Sequence, residues 1–211
     1  MAVGALDPNV CFRPIADIRP KCENTLSRTG EEGLRVNGND VLLVIDMQIG
    51  LFDGGTKFDA AGLVDRINRL SRRTRDVSGR VIFVRHTQDD GPFQAGSPAW
   101  QLLPELHVNK QDQVIAKATC DCFAKTELAT LVPPESTGRL IVTGCATEFC
   151  VDSTVRSAAV RGYDVWAPED GHTTSDRPHL SAEQVIRHHN YIWSGFIGAR
   201  GPVNITRMFD L

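Results

Sequence analysis

The chain has 211 residues, 41% hydrophobic and 23% charged, which suits one globular domain with a full core. Its net charge of −3 argues against broad binding to nucleic acid or to an anionic membrane surface. No run approaches the roughly 18 apolar residues of a membrane helix and no signal peptide is evident, so the six cysteines are read as reduced thiols in a cytoplasmic protein.

Residues 1–39 hold Pro8, Pro14 and Pro20, then Gly30, Gly33 and Gly38, and keep neither helical nor strand periodicity. They are expected to form an extension, poorly ordered or draped over the surface, with a subunit-swapped arm as the alternative. The domain proper spans 40–211. Its first element is the β-branched apolar run 41–45, a strand covered on both faces, ending at Asp46-Met47-Gln48. Leu63, Ile67 and Leu70 recur at helical spacing within 59–77. A second strand, 81–84, ends at Arg85-His86-Thr87. The long loop 88–112 is of the kind that often carries function. A short third strand, 114–116, ends at Lys117, and a helix over 125–131 stops at Pro133-Pro134. The fourth strand, 139–143, runs into Gly144-Cys145-Ala146-Thr147-Glu148-Phe149-Cys150, a turn of small and polar residues that opens a helix over 149–160. Residues 163–167 form a fifth strand. Ser181-Ala182-Glu183-Gln184 is a capping box that starts the last helix, and 203–205 is a marginal final strand. Strands alternating with helices imply a three-layer α/β/α sandwich around a mostly parallel, doubly wound sheet of five to six strands.

Such sheets bind ligands beyond the carboxyl ends of their strands. Asp46, His86, Lys117 and Cys150 all fall there. Each alone has a plainer reading: a turn aspartate, a solvated lysine, a buried cysteine. Together they form a coherent set. A thiol at a helix start is favoured as thiolate by backbone N–H groups and the helix dipole. A carboxylate accepts its proton and returns it to a leaving amine, and an ammonium stabilises the negative charge that develops. That set suits acyl transfer from an amide or related carbonyl compound to water.

Three stretches carry a resemblance: Leu42-Leu43-Val44-Ile45-Asp46-Met47-Gln48; Lys117 with Phe123 and Thr126-Glu127-Leu128; and Gly144 to Arg156 around Cys150. In this order they resemble the isochorismatase-like cysteine hydrolases, over about residues 40 to 198. Asp170-Gly171-His172-Thr173-Thr174 and His188-His189-Asn190 are similar to amide-hydrolysing members such as streptothricin hydrolases. The resemblance implies Asp46 as base, Lys117 as electrostatic partner and Cys150 as nucleophile. It implies a cis peptide between Cys145 and Ala146 and an oxyanion hole from the N–H groups of Ala146 and Cys150. It also implies a thioester intermediate and a homo-oligomer, dimer or tetramer. Metal-binding relatives carry Asp-x-His after the second strand. Here that reads Val84-Arg85-His86, so neither a metal nor another cofactor is expected.

Gln48, Phe52, His86, Trp100, Phe123 and Thr147 are the expected lining of a pocket for a small amide. Gln48 could instead support Asp46. Glu148 either contacts substrate or complements the helix start. His172 is read as ordering the loop after the fifth strand, and His188-His189 as helix packing. Cys120-Asp121-Cys122 is read as incidental, and Cys145 as packing, with a disulfide to Cys150 under oxidation as the alternative. A thiol redox or binding protein, or a non-catalytic member of the same fold, remains the competing functional reading.

Overall fold

Strand β1 (Val41–Ile45) is buried along its whole length and lies at the centre of the sheet. The structure, a computed structural model, describes residues 35–209; most of the expected extension therefore lies outside the described residues. Side chains of β1 alternate between two cores, as the pleat requires. Val41, Leu43 and Ile45 enter one core; Leu42 and Val44 enter the other.

Helices α1 (Ile49–Phe52) and α2 (Ala60–Asp76) follow β1. Strands β2 (Arg80–His86) and β3 (Gln113–Lys117) come next, then helix α3 (Leu128–Leu131) and strand β4 (Arg139–Cys145). A π-helical turn (Thr147–Val151) leads into α4 (Asp152–Val160). Strands β5 (Asp164–Trp166) and β6 (His172–Thr173), helix α5 (Ala182–Ser194) and a small hairpin of β7 (Ile197–Gly198) and β8 (Gly201–Pro202) complete the fold. The main sheet runs β3-β2-β1-β4-β5, with β6 beside the end of β4, and every pair in it is parallel. Leu63, Ile67 and Leu70 of α2 fill one core. Leu128 of α3, Val155 and Ala158 of α4 and Trp193 of α5 fill the other. This is the three-layer α/β/α sandwich with a parallel sheet of six strands.

Three elements differ from the sequence reading. The helix expected over 125–131 shrinks to one turn. Asp121 Oδ1 accepts from Phe123 N at 2.9 Å, the Thr126 hydroxyl donates to Cys122 O at 2.5 Å, and Lys125 has φ 56°. These local bonds give the backbone an alternative to the helix. The helix expected to open at 149 opens two residues earlier as a π turn, in which Phe149 N and Val151 N share the Ala146 carbonyl at 3.1 and 3.2 Å. The last strand is not 203–205; Asn204 makes only an isolated bridge to Trp166, and the paired residues are those of β7 and β8. The two-residue β6 had no periodicity to betray it. Among the described residues no helix is long and apolar enough to cross a membrane.

β1 and β4 are neighbours whose onward connections leave toward opposite ends of the sheet, so a crevice opens at their carboxyl ends. The approach there is closest at Gly144, where φ is +120° and a Cβ would lie 2.1 Å from Ile45 O. Only glycine lets β4 end against β1. Gly144→Ala is expected to cost about 3 kcal/mol or more through strain and overlap, read as a lowered midpoint in denaturant unfolding.

Candidate active site

Asp46 leaves β1 in the left-handed region, φ 50°, a conformation aspartate tolerates better than most residues. Its N–H is tied to Val84 O at 2.9 Å, and its carboxylate is buried. Lys117, the last residue of β3, reaches across β2 to meet it. Lys117 Nζ donates to Asp46 Oδ2 at 2.6 Å, to Thr119 O at 3.1 Å and to Cys150 Sγ at 3.2 Å. An ammonium has three protons, and all three have acceptors. Burial works to lower the Lys117 ammonium. The Asp46 carboxylate, with Cys122 and Cys150, outweighs it, so the pKa is raised and the group stays charged. Asp46 Oδ1 is buried and has no hydrogen-bond partner among the described residues.

Cys150 occupies the fourth position of the π turn and is half-buried against the α4 core. Burial and then the Asp46 carboxylate push its thiol up, with Lys117 opposing. Burial and the carboxylate thus favour the thiol form, against the pull toward thiolate of the backbone N–H groups and the helix dipole. The bond between Cys145 and Ala146 is cis. Cys145 is buried in the other core, on the α2 side, and burial raises its thiol to about 12. Cys122 is buried in the α4-side core, near enough to Lys117 to feel its charge, while Cys120 is exposed.

The expected pocket residues divide. His86 is partly buried beside the site, its ring edge-on to Phe93 with centroids 6.0 Å apart. Burial and the Lys117 charge lower its pKa against the pull of Asp46, and its buried Nδ1 has no partner among the described residues. Gln48 is fully buried. Its amide accepts from His86 N at 2.8 Å and donates to His86 O at 3.0 Å and Trp100 O at 2.9 Å, so it bolts the end of β2 to the following loop. Trp100 lies under the Arg85 guanidinium, 3.4 Å from its ring centroid, with its indole N–H on Thr87 Oγ1 at 2.8 Å. Phe52 is half-buried against the α2-side core. Phe123 is core, tilted on Tyr163 at 5.2 Å. Thr147 is fully buried and its hydroxyl meets His172 Nδ1 at 2.9 Å.

A second set surrounds the turn, of which sequence reasoning named Glu148 but not the cations that join it. Glu148 of the turn pairs with Arg177 and accepts from Thr174 Oγ1 at 3.0 Å, while Lys57 donates to Ser175 Oγ at 2.8 Å. The Glu148 bonds hold Thr174 and Arg177 against the π turn, and the Lys57 bond holds Ser175 against the segment before α2. Arg177 and Lys57 carry no local motif, so only the fold reveals them. Among the described residues no cluster of three or more His, Cys, Asp or Glu side chains could hold a metal.

Residues 40–189 match the family model described as the Isochorismatase domain. The chain belongs to the isochorismatase family. It is 32% identical over 142 residues to a streptothricin hydrolase of Streptomyces noursei, covering 65% of this chain and 55% of that protein. It is 28% identical over 153 residues to the ureidoacrylate amidohydrolase RutB of Yersinia enterocolitica, covering 54% of this chain and 66% of the relative. The chain thus spans about half the length of the streptothricin hydrolases it matches. A crystal structure of an isochorismatase family protein superposes with a TM-score of 0.72 at 31% identity, covering 79% of this chain and 97% of that one. A cysteine hydrolase from Pseudomonas syringae shares the fold at 22% identity and a TM-score of 0.72, covering 87% and 95%.

Lys117→Met leaves Asp46 as a buried carboxylate without its partner. It is expected to cost about 3–5 kcal/mol, measured by denaturant titration. A second test uses His172, whose pKa is lowered to about 4, first by burial and further by His189, against Asn190 and Glu148. A histidine depressed in the folded state contributes stability above its unfolded pKa of about 6.5, and this is lost as pH falls toward the folded value. Between pH 6.5 and 4 the loss is about 3 kcal/mol, and His172→Gln is expected to remove that slope from the stability–pH curve.

Proposed function

We propose that this isochorismatase-family protein is a cysteine amidohydrolase that cleaves a C–N bond in a small amide, carbamoyl or ureido compound through a thioester. One observation carries the reading: a single ammonium, Lys117 Nζ, touches both the Asp46 carboxylate and the Cys150 sulfur. A structural ion pair does not need a partly accessible thiol as its third member.

The steps follow from the groups present. Asp46, with Oδ1 free of protein partners, takes the thiol proton as Cys150 Sγ attacks the substrate carbonyl carbon. Burial and Asp46 favour the thiol form of Cys150, so in this reading proton transfer accompanies attack. Lys117 stays protonated and offsets the charge on sulfur and carboxylate. The oxyanion is received by the N–H groups of Ala146 and Cys150, the latter lying between the two amides that take the Ala146 carbonyl. Asp46 then gives its proton to the leaving nitrogen, the C–N bond breaks, and ammonia or an amine departs. Water, deprotonated by Asp46, attacks the thioester and returns the acid and the free thiol. His86, beside the reacting groups with an unpartnered Nδ1, contacts the substrate. The similarity to a streptothricin hydrolase of Streptomyces noursei and to the ureidoacrylate amidohydrolase RutB of Yersinia enterocolitica supports this class of reaction.

The reading includes a cytoplasmic homo-oligomer, dimer or tetramer. Phe149, Val160, Tyr191 and Ile197 are large apolar side chains left exposed, which supports association. The free Cys120, Cys122, Cys145 and Cys150 support a reducing compartment.

Cys150→Ala is expected to lower product release from a panel of primary amides and ureido compounds by at least about 10³-fold while the protein stays folded. Wild-type turnover in that variant would sink the mechanism. Asp46→Asn removes both the base and the charge that raises the thiol. It is expected to lose turnover while alkylation of Cys150 by iodoacetamide at pH 7 becomes faster, because the thiol pKa falls.

A further inference from the structure

The nucleophile turn is held from behind by a buried polar chain that the proposed chemistry does not use. Thr147 Oγ1 lies 2.9 Å from His172 Nδ1, and His172 Nε2 lies 2.9 Å from Asn190 Oδ1. Asn190 in turn donates through Nδ2 to Glu169 O at 3.0 Å. Thr147 is fully buried and His172 nearly so, and the imidazole is edge-on to Trp193 at 5.0 Å. Three elements thus converge on one hydroxyl: the turn itself, strand β6 and helix α5.

The direction of each bond follows from its donors. The Asn190 amide nitrogen is engaged with Glu169 O, so its oxygen faces His172. An oxygen there requires a proton on Nε2. In a neutral imidazole Nδ1 is then a bare acceptor, and the Thr147 hydroxyl must donate to it. Burial holds the ring neutral, which keeps that tautomer. The backbone repeats the restraint, because β6 pairs with the end of β4 in the register Gly144↔His172 and Cys145↔Thr173. The strand end is therefore fixed through its main chain up to Cys145, and the turn is fixed through a side chain at Thr147, three residues before Cys150.

We propose that His172 is a positioning residue, which, oriented by Asn190, fixes the Thr147 hydroxyl and with it the place of Cys150 relative to Asp46 and Lys117. Its kinetic consequence rests on the cysteine-hydrolase reading; its structural consequence does not. A displacement of about 1 Å at a reacting group is enough to lose about 10²-fold in rate. The chain also explains why a histidine tolerates complete burial here, since both ring nitrogens are satisfied.

The test compares Thr147→Val, which keeps the shape and loses the hydroxyl, with Thr147→Ser, which keeps the hydroxyl. Thr147→Val is expected to lower kcat on an amide substrate about tenfold or more with KM within about twofold, and to raise the rate of Cys150 alkylation by iodoacetamide about fivefold as the turn loosens. Thr147→Ser is expected to restore both to within about threefold. Asn190→Leu removes the tautomer restraint at a half-exposed position, and is expected to move both readouts the same way by a smaller factor; it serves if Thr147→Val does not fold. The proposal is overturned if Thr147→Val keeps wild-type kcat and alkylation, or if Thr147→Ser falls as far as Thr147→Val. If the wild type cleaves no amide, the functional reading fails, and the alkylation rates alone decide for or against the positioning role.

Discussion

Everything at the carboxyl end of this sheet depends on one ammonium group. Lys117 Nζ is buried, and a buried charge without partners is costly. Its three protons go to a carboxylate, a main-chain carbonyl and a sulfur. Those acceptors come from three separate segments, at residues 46, 119 and 150, and the ammonium is a contact common to all three. Buried ion pairs contribute little net stability compared with apolar packing of the same volume. The proposed chemistry gives this pair a use, since it sets the carboxylate of a candidate base beside a thiol that burial and that carboxylate push up.

The fold serves that arrangement through the order of its strands. β1 and β4 are neighbours at the centre, so Asp46 and the turn after Cys145 emerge side by side. Gly144 permits the backbone contact, and the left-handed φ at Asp46 turns its carboxylate away from the strand line. β3 lies two strands from β1, a separation that only a long side chain spans. This accounts for a lysine at 117 in a way that a shorter cation would not satisfy. Around this first set, Gln48 ties the end of β2 to the loop at Trp100, Glu148 ties the turn to Arg177, and His172 ties it to α5. Gln48 and His172 spend their hydrogen bonds on protein, while Glu148 engages Oε1 and has a buried Oε2 with no partner among the described residues.

The reactive character of Cys150 changes accordingly. A thiol at the start of a long helix would lean toward thiolate through the dipole. Here the first turn is a π turn, the sulfur is half-buried, and a carboxylate lies nearby. Under the proposed mechanism, activation comes from a base rather than from a standing low pKa. The membership of the chain in the isochorismatase family is consistent with a site assembled from strand ends rather than from one contiguous motif.

Much was legible in the one-dimensional chain, and for definite reasons. The apolar run 41–45, the helical spacing of Leu63, Ile67 and Leu70, and the capping box at Ser181 are local signals, so strand, helix and helix start could be read where they stand. The alternation of strand and helix then sufficed for the parallel three-layer architecture, and the chemistry-bearing residues at the strand ends could be named. What needed the tertiary structure was everything that depends on distance between segments remote in sequence. Thr147, Gln48 and Phe123 looked available for a ligand because sequence does not show which neighbour claims a hydroxyl, an amide or a ring. Sequence assigns His172 only to ordering the loop after the fifth strand and gives no signal at Arg177, because their partners lie 25 and 29 residues away. Desolvation and the Asp46 carboxylate, which push the Cys150 thiol up, act through space, whereas only the opposing helix dipole can be read along the chain.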